Sequence, residues 1–299
     1  MKYDVTVLTD KRYIKPEAIN DYVQNVLTED ELVMDALRSR GLSITRKAWD
    51  DPNFHWGDSH YILFRTTWDY FDRYKEFSLW LERVSKQTKM INNYATIKWN
   101  LDKHYLRDLQ LAGAPIPPTV FIKRSEPAKL SSIFGLTNWK KAVLKPTISG
   151  AARHTYVVDA HNIGRHDFLF SRLIDEEDYM LQEFQPTIMT EGEISIMIIG
   201  GQYTHAILKK AKHGDFRVQD DFGGTVHPYT PSPREIEMAL QIVEACPFKP
   251  VYARVDLMWD DDGQPLLGEL ELIEPELWFR EEPEAADLLA DVVVDILNN

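Results

Sequence analysis

Apolar and polar positions alternate from Tyr3 to Leu8, the period-2 pattern of a half-buried strand. Thr28 and Glu31 have capping-box spacing, which predicts a helix through Leu37 that stops at Gly41. Residues 43–49 return to an extended pattern. Residues 61–65 read as a short buried strand that delivers Thr66-Thr67-Trp68-Asp69-Tyr70 to its C-terminal end, and a helix follows over about 72–86. This strand–helix rhythm predicts a small open parallel sheet, in which ligands sit beyond the C-terminal strand ends. Arg65, Thr67, Trp68 and Asp69 are therefore candidate substrate contacts. Trp68 also fits a structural role, as a core residue at a domain seam.

Trp99, Leu101, Tyr105, Leu106 and Leu109 lie near helical spacing and predict one helix over 96–112. The segment Gly113-Ala114-Pro115-Ile116-Pro117-Pro118-Thr119 ends it and reads as a linker. Strands are expected at 119–123, 141–146, 155–158 and 179–184. Two more, at 193–199 and 202–209, are joined through Gly200-Gly201, a hairpin signal. A helix over 233–246 precedes strands at 251–259 and 265–272, which flank Asp260-Asp261-Asp262-Gly263, and a last helix covers 284–297. The expected units are an N-terminal α/β domain (1–95), a linker helix with a first α+β subdomain (96–180), and a C-terminal α+β subdomain (181–299).

With 299 residues, 44% of them hydrophobic, the chain can bury a large core. A formal net charge of -13 argues against nucleic acid or an anionic membrane as the main partner, while leaving room for a local basic pocket. The single cysteine, Cys246, excludes an intramolecular disulfide framework. No apolar run approaches the ~18 residues of a membrane span, so a reducing cytoplasm is the expected compartment.

Chemistry concentrates in four places. Arg254 and Asp256 share one face of an alternating strand, and Glu269 and Glu271 share a face of its partner. Three carboxylates so placed suit Mg²⁺, and the same pattern also describes a solvated sheet face. Residues 142–146 form an apolar strand with Lys145 near its end, running into a loop of small residues that includes Ser149 and Gly150. Such a loop lets backbone N–H groups approach phosphate oxygens, although the order of a P-loop is absent. Gln182-Glu183-Phe184 leaves a strand into a turn at Pro186, and Glu193 opens the next strand. Finally, Lys209-Lys210-Ala211-Lys212 concentrates positive charge, with Arg217 standing apart as a bidentate anion contact. Gly-x-Ser-x-Gly, His-Glu-x-x-His and Gly-x-Gly-x-x-Gly are all missing.

Taken in order, these pieces resemble the ATP-grasp superfamily over nearly the whole chain, including prokaryotic glutathione synthetase, the ribosomal-protein glutamate ligases and the cyclo-ligase that forms D-cycloserine. Asn100-Leu101-Asp102-Lys103 is similar to the family's lead-in, and Val143-Leu144-Lys145-Pro146 to its phosphate-binding lysine strand. Gln182-Glu183-Phe184 is similar to the adenine hinge and Glu193 to the ribose carboxylate. Gly214-Asp215-Phe216-Arg217 and Arg254-Val255-Asp256 resemble the catalytic arginines with the first metal carboxylate. Glu269-Leu270-Glu271 departs from the usual Glu-x-Asn, Gln219 stands where Asn is common, and the loop after Lys145 is poor in glycine for a lid.

The resemblance implies an ATP-grasp fold in which two α+β subdomains clamp ATP after an N-terminal parallel-sheet domain. It implies that Lys103, Lys145, Ser149, Gly150, Gln182, Glu183, Phe184, Glu193 and Lys209 bind ATP, and that Asp256, Glu269 and Glu271 hold Mg²⁺. Arg217 and Arg254 would stabilise developing charge. Glu274, just beyond the pair of glutamates, is an expected substrate contact. The expected activity is ligation: a carboxylate of an amino acid or small peptide becomes an acylphosphate, which an amine or other nucleophile attacks. The rivals are a phosphotransferase and a nucleotide-binding protein without turnover. Small-molecule substrates are the expected partners, with a homodimer as the expected assembly.

Overall fold

The computed structural model describes all residues except 127, 151 and 213–222. Near the N-terminus, β1 (Tyr3–Thr9), α1 (Asp21–Ser39), β2 (Ile44–Ala48), β3 (Ser59–Thr66), α2 (Tyr74–Val84) and β4 (Lys89–Ile91) build a sheet in the order β2-β1-β3-β4. Every pairing in it is parallel, as the strand–helix rhythm predicts. Helix α1 begins seven residues before Thr28. Asn20 caps it by accepting from the Val23 amide, so the capping-box spacing at Thr28 lies inside a helix already under way.

The single helix expected over 96–112 is two, α3 (Tyr94–Asn100) and α4 (Tyr105–Leu111). The break between them is where the Lys103 amide leaves the helical ladder to donate to the Thr147 carbonyl at 2.8 Å. Apolar spacing alone cannot register such a break, because both short helices keep their apolar residues on the core side.

Next come β5 (Thr119–Ile122), α5 (Leu130–Thr137), β6 (Lys141–Pro146), β7 (Tyr156–Asp159), α6 (Ile163–Leu173) and β8 (Tyr179–Glu183). Their antiparallel sheet has the order β5-β8-β6-β7. A second antiparallel sheet follows, from β9 (Glu193–Ile199), β10 (Gln202–Lys210), β11 (Thr225–Pro228), α7 (Pro233–Glu244), β12 (Tyr252–Trp259) and β13 (Pro265–Glu271). Its order is β11-β10-β9-β12-β13. Gly200 and Gly201, at φ 60° and 82°, make the two-residue turn between β9 and β10, a left-handed conformation that favours glycine. Helix α7 has a complete capping box between Ser232 and Glu235.

The last helix, α8 (Pro283–Asn298), returns to pack on α1. Arg40 ties the two through Asp287 and Asp291. The edge of β13 is not left bare. The Asn100 side chain bonds the Leu270 carbonyl and the Leu272 amide at 2.8 Å each, and the Tyr105 hydroxyl accepts from the Leu270 amide at 3.1 Å. This closes an edge that would otherwise template aggregation and fixes the strand that carries Glu269 and Glu271. Among the described residues no helix is long and apolar enough to cross a membrane.

Candidate active site

The antiparallel register of β12 and β13 sets Arg254 opposite Glu271 and Asp256 opposite Glu269. The apolar side chains between them, Val255 and Leu270, are buried on the other face, so burial forces the charged set onto one side. Strand β9 lies between β10 and β12, and its Ser195 donates to Asp256 at 2.6 Å. From β10, Lys209 reaches over β9 to Asp256 at 3.1 Å and also pairs with Glu193.

This face and the sheet of β5–β8 wall a cavity of about 540 Å³. Lys103, Lys145, Ser149 and Gly150 line it from the lead-in helices and the small-residue loop. Gln182, Glu183 and Phe184 line it from the end of β8, and Glu193, Lys209, Arg254, Asp256, Glu269 and Glu271 from the facing sheet. Trp68, Asp69 and Glu274 complete the far wall. The structure thus gathers sixteen of the expected positions around one space. Arg65 and Thr67 are not among its lining residues. They are 1% and 0% exposed, and Arg65 stacks its guanidinium 5.2 Å from the centre of the Phe279 ring. Strand β3 is buried on both faces, so Arg65 and Thr67 go into the core at its end, whereas Trp68 and Asp69 follow where the chain leaves it. Arg217 lies outside the described residues.

Sequence reasoning missed two groups of lining residues. Val143, Ile188 and Met258 pack about Phe184 and make an apolar slot between the two sheets. Lys141 sits over the outer side of that slot, 5.0 Å from the Phe184 ring centre. Alternation along β6 could have flagged Val143; Ile188 sits in a short turn with no periodic signal. Arg12, Tyr13, Tyr22 and Phe71 form the second group, at the N-terminal end of the cavity. Trp68 meets Tyr13 edge-on at 6.1 Å and Tyr22 at a tilt at 6.4 Å. Phe71 follows directly on the Trp68–Tyr70 loop, but no local pattern connects Arg12, Tyr13 and Tyr22 to it.

The electrostatics are tightly paired. Lys103 donates to the Ser149 carbonyl at 2.7 Å and lies 2.9 Å from Glu269. Arg254 bonds Asp256 at 2.8 and 2.9 Å and also pairs with Glu271. Against the cost of burial, Arg254 and Lys209 hold the Asp256 carboxyl well below its ordinary pKa. Lys103 and Lys145 likewise lower Glu269. Burial wins at the other acids. It raises Glu193 in spite of Lys209, pushes Glu271 up to about 7 in spite of Arg254, and with Glu271 pushes Glu274 up to about 8. Burial also lowers Lys145.

Among the described residues these acids do not already form a closed cage of three metal ligands. Each of Asp256, Glu269 and Glu271 instead rests on a lysine or arginine. The donor set still fits Mg²⁺. Hard oxygen donors on one wall, facing a space lined by cations, suit an ion that keeps waters and shares its shell with phosphate oxygens.

Comparison with known proteins agrees with this geometry. Residues 5–92 match the family described as D-cycloserine synthetase DcsG, N-terminal domain, and residues 108–273 match the RimK-like ATP-grasp domain. The cycloserine biosynthesis protein DcsG of Streptomyces lavendulae is 28% identical over 266 residues, covering 82% of this chain and 86% of that one. The crystal structure of D-cycloserine synthetase DcsG superposes with a TM-score of 0.85 at 23% identity, over 98% of this chain and 99% of the other. D-alanine–D-alanine ligase from Bacillus anthracis gives a TM-score of 0.68 at 15% identity, over 99% and 97%. With that domain family spanning more than half of its length, the chain belongs to the RimK-like ATP-grasp family and is an ATP-dependent ligase that activates a carboxylate.

Proposed function

We propose that this ligase binds Mg-ATP in the 540 Å³ cavity, with the adenine in the slot of Val143, Phe184, Ile188 and Met258 and the phosphates toward Lys103, Lys145 and Lys209. The observation that carries the reading is the single space that joins an apolar slot, three lysines and three strand-borne carboxylates. Gln182 and Glu183 border the base, Glu193 takes the ribose side, and the Ser149–Gly150 loop covers the phosphates. Asp256, Glu269 and Glu271 would hold Mg²⁺, which when bound supplies charge neutralisation at the phosphate oxygens. The cations now resting on these carboxylates turn toward phosphate when the nucleotide arrives. Arg254, with Arg217, steadies the charge that develops at the acyl and phosphoryl oxygens. The protein's work is otherwise positioning.

The substrate end lies past Glu271, between Trp68, Asp69, Glu274 and the Tyr13 and Tyr22 rings that meet Trp68. Carboxyl groups and aromatic faces there favour a small substrate that carries an amino group. We divide the chain into 1–95 for substrate choice and 96–180 and 181–299 for the ATP clamp, the second boundary falling within β8, whose strand pairs all lie in the first clamp sheet. ATP-dependent phosphate release, screened over amino acids and short peptides, tests the reading. Release with at least one such substrate is expected; a stable phosphorylated product without free phosphate would count against it.

A further inference from the structure

Glu274 differs from the other acids near the reacting end of the cavity. Asp256, Glu269 and Glu271 each lie against a lysine or arginine. Glu274 lines the same space, yet no basic side chain among the described residues pairs with it. Its backbone is nevertheless held firmly. The Trp68 indole donates to its carbonyl at 2.9 Å, and Tyr13 and Tyr22 back the Trp68 ring. The hydroxyl of Tyr70, itself 6% exposed, faces the Glu274 carboxyl. A half-buried acid that served only the fold would be expected to rest on a cation or to turn out to solvent. Here two aromatic residues from the loop after β3 fix an acid that keeps its carboxyl toward the substrate end.

Building on the ligase reading above, we propose that Glu274 is the proton acceptor for the amino group of the attacking substrate, with Tyr70 and Trp68 as its positioning residues. The substrate enters as an ammonium ion. One N–H bond breaks, its electron pair stays on nitrogen, and an O–H bond forms on Glu274. The free amine then forms the C–N bond as the acyl carbon releases phosphate, and the amine's second proton leaves with that phosphate. Balance requires only the acylphosphate and the amine.

The electrostatics match the task. An α-amino group has a pKa of about 7.7–8.0, and an ordinary glutamate, near ~4.3, is too weak a base to take its proton readily. Burial and the neighbouring Glu271 raise Glu274 to about 8, and Tyr70 and Lys103 oppose that rise. Among the described residues, Glu271, Tyr70 and Lys103 act on it most strongly, Tyr252 lies behind, and Asp69 and Glu276 line the same cavity.

Two nucleophiles separate the proposal from the reading beneath it. The protein is given Mg-ATP and the common D- and L-amino acids, first with hydroxylamine and then with the amino acids as their own nucleophiles. Hydroxylamine is unprotonated at neutral pH and needs no base. Glu274→Gln should cut amide formation about a hundredfold or more at pH 7, in the range of lost acid–base catalysis, while hydroxamate formation stays within a few-fold. The deficit should shrink toward pH 9 as free amine accumulates. Tyr70→Phe should lower the amide rate about tenfold with KM for ATP unchanged. Equal loss with both nucleophiles, or no loss with either, overturns the assignment. Absence of ATP-dependent hydroxamate from the wild-type protein overturns carboxylate activation itself, and this assignment with it.

Discussion

Lys209 on β10 lies 3.1 Å from Asp256 on β12, across the intervening strand β9, and the two side chains are 5% and 2% exposed. The pair ties together a sheet face that carries more buried charge than it could hold unpaired. Lys209→Met should therefore destabilise the protein by about 3 kcal/mol, the low end for breaking a buried ion pair. Arg254 and Ser195 stay on Asp256 and limit the damage. Urea unfolding checks this by the shift in midpoint at constant m-value. The depressed pKa of Asp256 adds a pH signature. Its contribution is present above the unfolded carboxylate value of about 3.9 and is lost as pH falls toward the lower folded value.

Glu271 and Glu274 act in the opposite sense. Their folded pKa values of about 7 and about 8 exceed the unfolded value. The native state then holds more protons than the unfolded state between about pH 4.3 and 8, so stability falls as pH rises through that window. The melting temperature of the nucleotide-free protein should drop by several degrees from pH 6 to pH 8.5. Glu271→Gln or Glu274→Gln should flatten that slope, and a slope unchanged in both variants would refute the assignment.

Mg-ATP binding near pH 7 should release protons, because a carboxyl must ionise to serve a metal. Calorimetry in two buffers of different ionisation enthalpy reads the number directly. Release should fall in Glu271→Gln.

Gly150 lies against Phe71, so that a Cβ at this position would come within 2.6 Å of the ring. Gly150→Ala must displace the small-residue loop or the ring. The expected result is a KM for ATP raised about tenfold with the melting temperature barely changed. Combining it with Phe71→Leu should recover part of the loss, since the two effects share one contact.

Lys145→Ala should weaken Mg-ATP binding about tenfold to a hundredfold, the loss of one hydrogen bond to a charged group. Circular dichroism should be unchanged, because Lys145 is only half-buried and pairs with no acid within bonding distance among the described residues. Affinity equal to the wild type would remove Lys145 from the nucleotide site.

Local pattern carried much of this protein. Period-2 alternation placed β1, β12 and β13, an apolar run placed β6, and the alternation of Arg254 with Asp256 and of Glu269 with Glu271 put four charged groups on one face. Gly200-Gly201 announced its hairpin. Other elements left weaker traces. Strand β4 has three residues, β11 has four and is largely exposed, and α5 shows no charged residue in its first or last turn. The division of the 94–111 stretch at Lys103 depends on an amide that bonds to Thr147, forty-four positions on.

Alternation along a strand is a local steric fact, so a single chain reveals which side chains share a face. Which partner each one meets depends on strand order and register. Lys209 finds Asp256 only because β9 runs between their strands, and Trp68 finds Glu274 only because β3 ends beside the exit of β13. Charged neighbours and burial then set the carboxyl pKa values, Arg254 and Lys209 holding Asp256 down while burial beside Glu271 raises Glu274. Desolvation and Coulomb attraction act through space, and sequence separation does not measure that distance.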